Sequence, residues 1–234
     1  MPTMGQNYSH NTMRHHPTRH MRRLGAAWPL ALLLCAAAQA QTANPQQGER
    51  IANNGLPPTV ASCASCHGAQ GQGMAVFPPL AGQGAAYLRS QLEAFADGSR
   101  SNPIMAPIAQ ALKAQERADV VAYFASLPTG IAATAGKADA KDKGAWLVER
   151  GRQQDGVPAC ASCHGPGGAG VGEHFPAIAK LSASYMQAQI DAWKQGSRPP
   201  GPQGLMEGIA KKLSADDVSA IAQYYAGTSG TAKP

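Results

Sequence analysis

Apolar residues recur at helical spacing in two matching stretches of the chain and nowhere hold the strict alternation of a strand. In residues 85–96, Leu88, Leu92 and Phe95 fall four and three apart, with Tyr87 beside the first, so they share one face of a helix. Residues 183–194 repeat the pattern, and a further pair of helices is expected over residues 116–126 and 215–226. Ser214-Ala215-Asp216-Asp217 reads as a capping box opening the last of these, because a hydroxyl and a carboxylate three residues apart can each satisfy the other's free backbone N–H. Shorter helices are expected near residues 49–53 and 145–152. Gly/Pro-rich loops over residues 68–79 and 165–176 break the periodicity. The expectation is an all-α chain.

These elements come in the same order twice. Residues 77–100 align without gaps on residues 175–198, with identities at Phe77/Phe175, Pro78/Pro176, Tyr87/Tyr185, Gln91/Gln189 and a closing Gly-Ser-Arg. The offset drifts from 97 to 98 and then to 101 along the copies, as duplication with loop insertions produces. Two tandem domains are therefore expected, residues 41–128 and 144–234. They are joined by a solvated linker over residues 129–143, rich in Ala, Gly, Lys and Asp.

The first 40 residues read as an export signal. Arg14, Arg19, Arg22 and Arg23 precede an apolar run, and Ala38-Gln39-Ala40 supplies a small-x-small cleavage site. Initiation could fall at Met13 or Met21, and Leu34 before Cys35 is too large for a lipid-attachment motif. The full chain carries a net charge of +6. The leader holds four of the 20 Lys+Arg and none of the 14 Asp+Glu, so the rest carries 16 against 14, a net +2. That balance gives no case for nucleic-acid binding.

The chemistry lies in two copies of one string, Cys63-Ala64-Ser65-Cys66-His67 and Cys160-Ala161-Ser162-Cys163-His164. Cys-x-x-Cys-His is the attachment motif for c-type haem: two thiols form thioethers, and the adjacent imidazole binds iron. Structural zinc or a dithiol redox centre are the alternatives, though neither needs a histidine after both pairs. Each haem iron needs a ligand on its far side or keeps an open position. Met74 follows His67 too closely, and Met186 aligns with Leu88 as core packing. Met105 and Met206 alone align with each other, each about 40 residues beyond its histidine, and both are expected in extended, proline-broken loops. Packing methionines are the alternative to distal ligation. His174 lacks a histidine partner in the first copy, which leaves a solvent-facing loop residue or a redox-linked titrating group.

Over nearly the whole chain beyond the leader, these motifs resemble the di-haem cytochrome c4 family. The resemblance implies two class I cytochrome c domains, each wrapped around one covalent haem c. It further implies that the carbonyls of Pro78 and Pro176 orient His67 and His164, and that Arg100 and Arg198 meet a haem propionate or a carbonyl unless they are plain surface residues. Cys63, Cys66, Cys160 and Cys163 would then attach the haems, with His67/Met105 and His164/Met206 on the irons. The expected role is a periplasmic electron carrier. It would link a quinol-oxidising complex or dehydrogenase to a terminal oxidase, with room for peripheral docking on a membrane complex. Rival readings are a haem subunit of a dehydrogenase complex and a di-haem oxidoreductase enzyme. The second copy departs at Lys180-Leu181, where the first has Gly82-Gln83, so equal potentials are not expected.

Overall fold

The computed structural model describes residues 42–229, so the expected leader and its cleavage site lie outside the described residues. Among the described residues ten helices follow one another: α1 Pro45–Asn54, α2 Ala64–His67, α3 Ala85–Ala96, α4 Met105–Ala111, α5 Ala114–Ser126, α6 Lys143–Glu149, α7 Ala161–His164, α8 Ala183–Lys194, α9 Leu205–Ala210 and α10 Ala215–Ser229. Short 3-10 turns sit between some of them. β-pairing among the described residues is confined to isolated bridges, as the missing alternation implies.

Helix starts follow local chemistry. Asn44 accepts from the N–H groups of Gln46 and Gln47, with Pro45 at the first helical position, so α1 begins earlier than its apolar residues suggest. The capping box before α10 is present. Asp217 N donates to Ser214 Oγ at 3.1 Å, and Ser214 N donates to the Asp217 carboxylate at 2.9 Å. That carboxylate also meets Lys143 and Arg152, tying α6 and the segment after it to α10. Although burial alone would push it up, the Asp217 carboxyl is held well below the usual carboxylate range by these two cations.

The duplication is carried into the packing. α1 crosses α5 as α6 crosses α10, and α3 packs on α4 and α5 as α8 packs on α9 and α10. Each crossing needs a glycine: Gly48 lies against the backbone of Asp119, and Gly144 against that of Ala220. Two separate cores result. One gathers Ile51, Val60, Leu88, Leu112, Val120, Val121 and Phe124. The other gathers Leu147, Val148, Val157, Met186, Ile190, Val218, Ile221 and Tyr225, which bears out Met186 as core packing.

One expectation holds with an addition and one needs revision. Residues 129–143 are largely exposed, as expected of the linker, yet they are pinned at three points. Ile131 packs on the second core, Gly136 N donates to Glu149 at 3.1 Å, and Lys180 Nζ donates to Thr129 O at 3.0 Å. Met105 and Met206 do not lie in extended loops. They occupy the first turns of α4 and α9, which start beyond Pro103 and Pro202.

Candidate haem-binding sites

Each Cys-Ala-Ser-Cys-His string forms one helical turn. His67 N donates to Cys63 O at 2.8 Å, and His164 N to Cys160 O at 2.9 Å. The turn carries both cysteines of a motif and the histidine that follows them on one short helical segment. The loops beyond are drawn back over it: Gly73 N reaches His67 O at 2.8 Å, and Gly170 N reaches His164 O at 2.7 Å. Gly71 and Gly168 adopt positive φ there, each pressed on an aromatic ring of the last helix, Phe124 or Tyr225. A side chain at either glycine would push the loop off its domain.

Both histidines are buried, and each ring is fixed by one bond. His67 Nδ1 lies 2.7 Å from Pro78 O, and His164 Nδ1 lies 2.7 Å from Pro176 O. A carbonyl can only accept, so Nδ1 carries the proton and Nε2 the lone pair. Burial lowers both histidine pKa values, partly opposed by those carbonyls, which keeps the rings neutral. A neutral imidazole oriented through Nδ1 is the state a metal requires of a histidine ligand. Burial also pushes the Cys63 and Cys160 thiols up to about 11. No group of three or more His, Cys, Asp or Glu side chains converges among the described residues, so the two cysteine pairs do not assemble a shared zinc site.

The methionines are half-buried, and their settings differ. Met105 N and Ile104 N both donate to Asn102 Oδ1, which caps α4. Met206 instead follows a turn in which Gln203 and Gly204 both have positive φ, and it packs against the second core. Met74 is exposed, as is His174.

Sequence reasoning missed where the two domains meet. Arg100 donates to Gln91 in its own domain and to Tyr185 OH and Gln189 Oε1 in the other, at 2.7, 3.1 and 2.7 Å. Arg198 mirrors it, donating to Gln189, Tyr87 and Gln91 at 3.1, 3.3 and 3.1 Å. Each guanidinium lies over an aromatic ring of its own domain, Phe95 at 4.4 Å and Trp193 at 4.0 Å. Both arginines are 6% exposed, so neither is a plain surface residue. Burial lowers the pKa of Arg198 and raises that of Tyr185.

Fold and sites together define a tandem c-type cytochrome. Residues 45–128 and 148–228 each match the sequence model of the cytochrome c family. The thiosulfate dehydrogenase electron acceptor of Stutzerimonas stutzeri (strain A1501) is 45% identical over 205 residues, covering 85% of this chain and 94% of that protein. Cytochrome c4 of Thiocapsa roseopersicina is 38% identical over 199 residues, covering 82% and 97%. Among solved structures, reduced recombinant cytochrome c4 from Pseudomonas stutzeri superposes with a TM-score of 0.62 at 32% identity, over 79% of this chain and 98% of that one. Thiosulfate dehydrogenase (TsdBA) from Marichromatium purpuratum in its "as isolated" form gives 0.69 at 36% identity; the match covers 81% of this chain and 42% of that chain's length. The chain belongs to the di-haem cytochrome c4 family. It is an electron carrier with two covalently attached haem c groups, and the paired cysteines of each turn with its buried histidine, bonded through Nδ1, fit that cofactor.

Proposed function

We propose that the protein is exported by its N-terminal leader to the periplasm. There it accepts electrons from a thiosulfate-oxidising dehydrogenase and passes them towards a terminal oxidase. The observation that carries this reading is the 45% identity, over 94% of its length, to an electron acceptor of thiosulfate dehydrogenase. No helix among the described residues is long and apolar enough to cross a membrane. Cys63, Cys66, Cys160 and Cys163 would form the thioethers, and His67, His164, Met105 and Met206 would hold the irons. Each haem, when bound, supplies a one-electron couple. An imidazole and a soft thioether as the protein's ligands would favour the reduced state over harder ligand sets and would suit electron transfer rather than substrate binding. A stable dehydrogenase complex is the second reading, favoured by the match to part of the longer TsdBA chain. Co-purification with a dehydrogenase at fixed stoichiometry distinguishes it from a free carrier.

Two measurements test the proposal. Thiosulfate with a thiosulfate dehydrogenase should reduce the oxidised holoprotein, read from its visible spectrum. Reduction by ascorbate but not by that couple would refute the assigned donor. Met105→Ala and Met206→Ala should each lower the midpoint of one haem by on the order of 0.1 V or more, within the roughly 0.8 V range that axial ligands set. Each should also abolish that haem's sulfur-to-iron absorption. A variant that leaves both spectra and both midpoints unchanged removes its methionine from the ligand set.

A further inference from the structure

The two proximal histidines are hydrogen-bonded alike, yet what stands behind their carbonyl partners differs. Pro176 O shares its peptide unit with Ala177 N, and that N–H donates to Gln83 Oε1 at 2.9 Å. Gln83 Nε2 in turn donates to Ala177 O at 3.0 Å. Gln83 belongs to the first domain and is 4% exposed, so a residue of one domain grips the peptide that orients the histidine of the other. The amide orientation is fixed by its partners, since a backbone N–H can only donate and a carbonyl can only accept.

The reverse grip is absent from the sequence at both ends. Ala177 is matched by Pro79, which has no N–H, and Gln83 is matched by Leu181. The neighbouring contacts share the asymmetry. Tyr87 N, in the uncapped first turn of α3, donates to Glu173 O of the second domain at 2.9 Å, and Gly84 lies against the same residue. The equivalent Tyr185 N is satisfied inside its own domain by Ser182 Oγ. The first domain thus docks the start of α3 on the loop that carries Pro176.

We infer that Gln83 is a cross-domain positioning residue that tunes the haem of the second domain and leaves that of the first untouched. The inference rests on His164 being an iron ligand, as proposed above. Hydrogen bonds in series polarise one another, so the bond from Ala177 N to Gln83 makes Pro176 O a stronger acceptor. A stronger acceptor draws the Nδ1 proton of His164 and makes Nε2 a more basic donor. A more basic donor stabilises ferric over ferrous iron and lowers the midpoint. Pro78 O, on a peptide without an N–H, receives no such help.

The test is a potentiometric titration of the holoprotein with Gln83→Met, which keeps length and loses both hydrogen bonds, and with Gln83→Glu. A carboxyl buried at this position stays protonated, and it offers an acceptor and a donor where the amide does. Met206→Ala assigns the second domain's couple independently of Gln83. Gln83→Met should change the oxidised/reduced equilibrium of that couple about threefold towards reduced, about 28 mV upward at 59 mV per tenfold for one electron. The His164 Nδ1–H resonance should move with it. The first domain's couple should stay, and Gln83→Glu should stay near wild type. The inference is overturned if Gln83→Met leaves the second couple in place, moves both couples equally, or is matched by Gln83→Glu. If Met206→Ala moves its couple while Gln83→Met does not, the role of Gln83 alone fails. If Met206→Ala and His164→Ala both leave the spectrum unchanged, the ligand reading fails.

Discussion

Replacing Cys63 and Cys66 together by Ala should yield a chain with one covalent haem instead of two and a first domain that no longer melts cooperatively. Each domain has fewer than 100 residues and a modest apolar cluster, a size at which burial alone leaves folding marginal. The Cys-Ala-Ser-Cys-His turn and the glycine-rich loop bring polar backbone around a buried imidazole, so this part of the domain adds little apolar burial of its own. A covalent cofactor fills that part of the interior, and its binding is linked to folding as any native-state ligand is. The second domain should keep its haem, because its core and its motif turn are its own. Haem content per chain, from the alkaline pyridine spectrum, reads the first outcome, and urea melts followed by circular dichroism read the second. A variant retaining two haems per chain would refute the attachment assignment.

What could be read from the residues, and what could not, divides along physical lines. The helices α3 and α8, the capping box at Ser214 and Asp217, and Met186 in the core all follow from periodicity and local hydrogen bonding. The sequence shows those directly. The methionines were misplaced because a helix that starts two or three residues after a proline reads in sequence like a continuing loop. The interdomain contact was missed although its signal was present. Tyr87, Gln91 and Arg100 recur unchanged as Tyr185, Gln189 and Arg198, which apolar periodicity does not require. A contact that each half makes with the other explains why both copies keep the same polar residues. The step in offset from 97 to 98 is likewise structural: the bridge Met74–Phe77 becomes Val171–Phe175, one residue longer. Glu173, in that longer turn, is where the first domain docks. Departures between the copies therefore mark the asymmetric contact, and identities mark the symmetric one.

Gly48→Ala and Gly144→Ala should each destabilise one domain, although both place a better helix former inside a helix. Alanine is worth roughly 0.8–1 kcal/mol over glycine in a helix interior. Against that, a Cβ at Gly48 would lie 2.0 Å from Asp119 O, and one at Gly144 would lie 2.2 Å from Ala220 O. These are backbone atoms of α5 and α10, so no rotamer change relieves the clash and the helices must separate. Overpacking of this kind costs roughly 1–3 kcal/mol or more, and here the upper end applies because both elements are rigid. A net loss of about 2 kcal/mol is expected, a large share of a small domain's stability. Gly208 in α9 is the control. Nothing lies within 4 Å of a Cβ there, so Gly208→Ala should be neutral or stabilising by about 0.5–1 kcal/mol. Urea titrations of the holoprotein, with each domain followed through its own haem, measure all three. Equal effects at the three glycines would mean that helix propensity, not the crossings, sets these positions. Gly48→Ala should lower only the first domain's transition. If the second falls with it by the same amount, the grip of Gln83 on Ala177 and the arginine contacts have made the two cores melt as one.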